Sequence, residues 1–306
     1  MPKVLFVSPH LDDAVFSCAA RILREVDGGT DVTVATVFSH ARPRSPMRRE
    51  YVARQEEDRI ALGLLGAKPL WLGLLDAPCR SPFYNSFRRI VLETAPGDGE
   101  FVQVVRTRIA RLVEDLSPDA IYLPLGVGTH IDHRLVFAAC SPLTANRQCY
   151  FYEDQPYALV RFSVQMRFRE IGAAPFSRAS GASRKPGFLR SFRAAAYVRR
   201  YLPPGQERRD CEAQLCQKLS ARPKPTIRLQ SEIEAAHASD QRRILSALYA
   251  YRSQVRTFFG GRKYFKAACA AHARWLGLKC WRAERLWKFT GTENTKSNNF
   301  FANCNP

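Results

Sequence analysis

The chain has 306 residues, 46% of them hydrophobic and 25% charged, which suits one large globular domain and excludes a disordered or fibrous chain. Lys and Arg outnumber Asp and Glu by 47 to 28, a formal charge of +19 that is compatible with nucleic-acid binding, with attraction to anionic lipid or substrate, or simply with an Arg-rich proteome, and that does not choose among them. No apolar run reaches the roughly 18 residues of a membrane span, and Met1-Pro2-Lys3 enters a strand at once with no secretory signal pattern, so a cytoplasmic location is expected.

In chain order, Val4 to Val7 is a short apolar run that reads as a buried parallel strand, and Ala14 to Val26 has helical spacing. Residues 31–38 read as a second strand, 48–65 as a helix ending at Gly66, and Lys68 to Leu72 as a third strand. Residues 76–99 mix Pro, Gly and Ser with aromatics and are expected to form a loop with a short helix. Phe101 to Leu116 is a helix, Ala120 to Leu123 a fourth strand, His130 to Ala139 a helix and Cys149 to Tyr152 a fifth strand. This alternation predicts an α/β fold: a Rossmann-like, mainly parallel sheet flanked by helices, with strand order 3-2-1-4-5. No G-x-G-x-x-G follows the first strand, so a dinucleotide is not implied.

From Arg161 to Asp210 basic residues far outnumber acids, and the section is read as a basic insertion or lid with weak secondary structure. Thr226 to Leu229 suggests a late edge strand. Ser231 is read as the cap of a helix running to Tyr251, with Glu232 and Glu234 in its first turn. A basic-aromatic helix is expected over roughly Lys263 to Trp287, then a polar tail over 290–306. The expected division is a catalytic core over 1–160, a lid over 161–225 within the same domain, a C-terminal strand and helical extension over 226–289, and the tail. Nine cysteines, an odd number with no C-x-x-C pair, read as reduced thiols rather than a disulfide framework.

Two polar clusters carry the chemistry. His10-Leu11-Asp12-Asp13 follows the first strand, and His130-Ile131-Asp132-His133 follows the fourth. Ligands bind beyond the carboxyl ends of strands in open α/β sheets, and strands one and four are neighbours at the switch point, so the clusters are expected to meet there. His10, Asp13 and His133 would supply two imidazoles and a carboxylate, a set suited to Zn2+ with an open position; another divalent metal is possible.

These motifs resemble the PIG-L/LmbE-like family of zinc-dependent N-deacetylases acting on N-acetylglucosamine-containing molecules, and the likeness covers roughly residues 3–155. The resemblance implies metal ligation by His10, Asp13 and His133, with Asp12 as general base. It implies that His130 stabilises the oxyanion or protonates the leaving amine, and that Asp132 orients His130. It further implies that Arg54, in Arg54-x-x-Glu57, and Asp76 hold sugar hydroxyls, and it puts Tyr152 to Tyr157 near the pocket with no assigned role. Where many members have proline and glutamate, this chain has Leu11 and Ala14.

The leading expectation is therefore a zinc-dependent hydrolase removing an N-acetyl or N-acyl group from an aminosugar conjugate, with no nucleic acid partner. Two other readings are a basic nucleic-acid or anionic-glycan binding protein with a vestigial metal site, and a peripheral glycolipid deacetylase. Retained binding with a steep salt dependence after Asp12→Ala would mark the binding protein.

Overall fold

A computed structural model describes residues 1–160, 163–173, 202, 204–220 and 227–292. Five parallel strands form the centre: β1 (Lys3–Ser8), β2 (Asp31–His40), β3 (Lys68–Leu75), β4 (Ala120–Pro124) and β5 (Cys149–Tyr152). They lie in the expected order 3-2-1-4-5, and two further strands, β7 (Ala283–Thr292) and then β6 (Ile227–Ala235), continue the same sheet beyond β5. β7 runs antiparallel to both β5 and β6.

Side chains alternate across β1 and so feed two cores. Val4 and Phe6 join the core beneath α1 (Asp13–Asp27), α2 (Arg48–Leu65) and three C-terminal helices. Leu5 and Val7 join the core beneath α5 (Asp98–Leu116) and α6 (Ile131–Cys140). Phe6 stacks on Tyr122 with ring centroids 4.3 Å apart, and Tyr122 stacks in turn on Tyr150 of β5. Because α1 and α6 leave neighbouring strands toward opposite faces, a crevice opens between their first turns, which positions the site.

Residues 76–99 hold two short helices, α3 (Ala77–Arg80) and α4 (Phe87–Leu92), where one was expected. Most of the basic section 161–210 lies outside the described residues; its described parts are α7 (Ser163–Glu170), residues 171–173, 202 and 204–205, and the start of α8 (Gln206–Ser220). No helix among the described residues is long and apolar enough to cross a membrane.

The C-terminal reading needs two corrections. Ser231 caps no helix: it lies inside β6, paired with Trp287, and the helix begins later as α9 (Gln241–Ala250), followed by α10 (Arg252–Phe259). Glu232 and Glu234 resemble acids of a first helical turn, but their partners are distant: both pair with Arg21 of α1, and Glu234 also with Arg24. The basic-aromatic helix is α11 (Arg262–Trp275), shorter than expected, with Phe265, Cys269 and His272 buried. Gly277 turns the chain with φ +88, and Trp287 is buried at the centre of β7. Residues 290–292 belong to β7 rather than to a tail, and 293–306 lie outside the described residues.

Candidate metal centre and active site

The turn between β1 and α1 is held by its own polar atoms. Ser8 Oγ donates to the His10 carbonyl at 2.6 Å and accepts the Ala14 N–H at 3.0 Å, while the His10 N–H donates to Asp13 Oδ2 at 2.8 Å. Asp12 occupies the N-cap position of α1 without making a capping bond; its carboxylate instead accepts from Arg54 Nη2 at 3.2 Å. A helix-cap explanation of the two aspartates therefore fails for Asp12.

Across the crevice, Thr129 sits in left-handed backbone with φ 60, an expensive conformation for a β-branched residue, and its hydroxyl donates to the Val91 carbonyl at 2.7 Å. Gly128 has φ +93, and any Cβ there would overlap the Tyr157 side chain, so glycine is required for Tyr157 to lie beside the histidines. His130 then caps α6, accepting the Asp132 N–H on Nδ1 at 3.2 Å.

The two clusters meet. Ring centroids of His10 and His133 are 5.2 Å apart, and those of His10 and His130 are 5.0 Å apart. His10, Asp13 and His133, all buried, offer ligand atoms within 4.8 Å of one another. Asp13 Oδ2 lies 3.1 Å from His10 Nδ1 and 3.2 Å from His133 Nε2. Ligands on a tetrahedral ion with bonds of about 2.0–2.1 Å stand about 3.3 Å apart, so these spacings suit zinc.

The opposite nitrogen of each imidazole is anchored. His10 Nε2 bonds Asp132 Oδ2 at 3.1 Å, and His133 Nδ1 bonds Asp154 Oδ1 at 2.6 Å. Carboxylates behind metal-ligating histidines fix the tautomer and aim of the ring. His133 Nε2 is buried with no hydrogen-bond partner, and it faces Asp13. That orphaned atom, among four buried carboxylates, is what a cation would satisfy.

The same geometry corrects one expectation. Asp132 does not orient His130 through its carboxylate, which accepts from His10, from the Ala77 N–H at 2.8 Å and from Arg80 Nη1 at 2.9 Å. Asp76 caps α3 by accepting the Cys79 N–H, and its other oxygen accepts the Tyr51 hydroxyl. Both oxygens are thus engaged within the protein. Glu57 accepts from the Ser253 N–H and hydroxyl, holding the start of α10 against α2.

The electrostatics follow from crowded carboxylates. Burial and the neighbouring Asp13 push Asp12 up to about 6, against the pull of Arg54. Burial disfavours charge on His10 and His133, yet the carboxylates around them outweigh it and hold the rings up to about 9 and about 10. Despite burial, His133 and His10 hold Asp13 well below the usual carboxylate range. Burial and the adjacent His10 keep His130 well below its ordinary value. A divalent cation would replace the protons that the two rings otherwise carry.

Sequence reasoning put Asp154 near the pocket, within the run Tyr152 to Tyr157, but gave it no role, and it missed Arg80. Asp154 stands just past the carboxyl end of β5, where the strand-end rule that singled out the other clusters also applies. Arg80 has no such signal, because it matters through distant partners: it donates to Asp132 while stacking on Phe38, Tyr84 and Phe101.

A Rossmann-like sheet here carries a His–Asp–His cluster at its switch point, an arrangement suited to metal-assisted hydrolysis. Residues 5–143 match the family model described as PIG-L, GlcNAc-PI de-N-acetylase. A 2'-N-acetylparomamine deacetylase of Streptomyces fradiae is 31% identical over 196 residues, which is 57% of this chain and 66% of that protein. Among solved structures, a deacetylase of the A40926 pseudoaglycone has the same fold with a TM-score of 0.62 at 21% identity, over 95% of this chain and 98% of its own. The zinc-inhibited form of a teicoplanin deacetylase has a TM-score of 0.65 at 20% identity, over 95% and 99% of the two chains.

Proposed function

We propose that the protein is a metal-dependent hydrolase that removes an N-acetyl or longer N-acyl group from an aminosugar within a larger conjugate. The observation that carries this reading is the convergence of His10 Nδ1, Asp13 Oδ2 and His133 Nε2, each imidazole anchored from behind by a carboxylate. The family match and the deacetylase relative support the reaction class.

The ligands would be His10, Asp13 and His133, and a bound zinc or similar ion supplies Lewis acidity toward the amide carbonyl and the attacking water. Asp12 accepts the water's proton; its buried carboxylate, steadied by Arg54, is a stronger base than an exposed one. His130 accepts on Nδ1, which leaves its Nε2–H to donate to the amide oxygen as charge develops there. The proton held on Asp12 then passes to the departing amine, which cannot leave as an anion. Since burial disfavours an imidazolium, His130 acts on the oxyanion rather than as the acid. Arg54 has a buried Nε with no partner, a donor for a sugar hydroxyl. Asp76 shapes the wall through Tyr51 and does not itself touch substrate.

Metal analysis with acetate release from a panel of N-acetylglucosaminyl compounds tests the reading. Asp12→Ala is expected to keep the metal and to lose at least about 100-fold in turnover. Absence of metal together with no turnover across the panel would overturn it.

A further inference from the structure

α1 is broken at Cys18, whose φ of −134 and ψ of 21 are not helical. In an unbroken ladder the Ala20 N–H would bond the Phe16 carbonyl four residues back. Here the two ends of that rung are taken by a pair of side chains from the C-terminal part of the chain. The Ala20 N–H donates to Glu284 at 2.9 Å and the Arg21 N–H donates to the same carboxylate at 3.1 Å. The Phe16 carbonyl accepts from the Arg282 guanidinium, whose Nε donates back to Glu284 at 2.9 Å. Both residues are 1% exposed.

A buried ion pair is a poor source of stability, because desolvating both charges costs about as much as their attraction returns. Its placement is more informative. Phe16 lies one turn along α1 from Asp13, and Arg282 Nη1 also donates to the Gln155 side chain at 3.2 Å. The Gln155 N–H donates to Ser17 Oγ at 3.0 Å, within the same first segment of α1. Gln155 directly follows Asp154, the anchor of His133, and on the other side Glu153 accepts from Arg285 Nε at 2.5 Å and Trp287 Nε1 at 2.9 Å. The entry and first half of β7 therefore grip both neighbours of Asp154 and the break in α1.

We propose that Arg282 and Glu284 are positioning residues for the metal centre: spliced into the break of α1 and tied to Gln155, they fix Asp13 relative to Asp154 and His133. The proposal rests on the metal-site reading above, and its test reads metal affinity rather than turnover.

Zinc is titrated into the metal-free full chain against a competing chelator, well below the melting temperature. Wild type is compared with Glu284→Gln, Arg282→Lys and the control Ile109→Ala, which opens a cavity in α5. Glu284→Gln and Arg282→Lys are expected to weaken zinc about 10-fold or more, the loss typical of residues that orient metal ligands. Ile109→Ala should stay within about twofold of wild type while melting lower. In the metal-free protein, hydrogen exchange at the Ala20 and Arg21 amides should speed up in Glu284→Gln alone among the conservative pair and control. Wild-type zinc affinity in both conservative variants would overturn the proposal, as would an equal loss in Ile109→Ala. A wild-type chain that takes up no divalent ion overturns the metal reading itself, and that result is separable because variants and wild type then behave alike.

Discussion

Asp154 offers no ligand atom to the His–Asp–His cluster, yet its bond to His133 Nδ1 at 2.6 Å decides which nitrogen of that ring faces Asp13. Its second oxygen accepts the Val127 N–H at 2.9 Å, so the carboxylate is itself oriented by the loop that precedes His130. Asp154→Asn would keep the shape and lose the charge. It is expected to weaken zinc by about 10–100-fold while leaving the fold intact, as read by competition titration and circular dichroism. At this scale the sequence is legible where chemistry is concentrated in adjacent residues: His10, Asp12, Asp13, His130 and His133 stand in two short runs after predicted strands. It is opaque where one residue acts through a distant one. Nothing in the spelling of residues 130–133 says that Asp132 will turn to His10 and Arg80 instead of its neighbour.

Periodicity identifies the first five strands and the long helices between them because each strand is written largely in apolar residues, buried in all but the edge strand β3. It finds the start of β6 but fails from Ser231 onward, where polar residues give little apolar signal and the acids are matched by Arg21 and Arg24 of α1. Tertiary charge pairing overrides the local helix pattern there. A related effect is measurable at the packing of α11 on β7. His272 is buried beside Arg285 and Arg282, with Glu153 Oε2 4.0 Å away, and burial with the two guanidinium groups pushes it down to about 3. Its folded value lies below the unfolded value near 6.5, so between these pH values the unfolded chain binds the extra proton. Stability conferred by keeping the ring neutral is complete above about pH 6.5 and declines as pH falls through the window, by about 1.4 kcal/mol per unit at most. Urea melts at several pH values should show a steeper acid loss for wild type than for His272→Gln. Parallel curves would mean the ring is not held neutral.

For the whole molecule, the site joins parts of the chain that are far apart in sequence: the turn after β1, the start of α6 and the loop after β5. An ion bound to the folded state alone stabilises it by about 2.7 kcal/mol at 100 times its dissociation constant. Saturating zinc should therefore raise the melting temperature of the metal-free protein by several degrees, and a chelator should reverse the gain. An unchanged melting curve would argue that the three ligands do not share an ion. The net charge of +19 belongs to this scale too, and composition alone ties it to no particular face.

β7 comes last among the described strands, yet it lies inside the sheet, between β5 and β6. A nascent polypeptide has both histidine runs and every carboxylate of the crevice outside the ribosome well before the strand that braces them has been made. On the metal-site reading proposed above, ion capture in its final geometry would wait until this strand has been made, so maturation of the centre would follow synthesis of the chain instead of accompanying it.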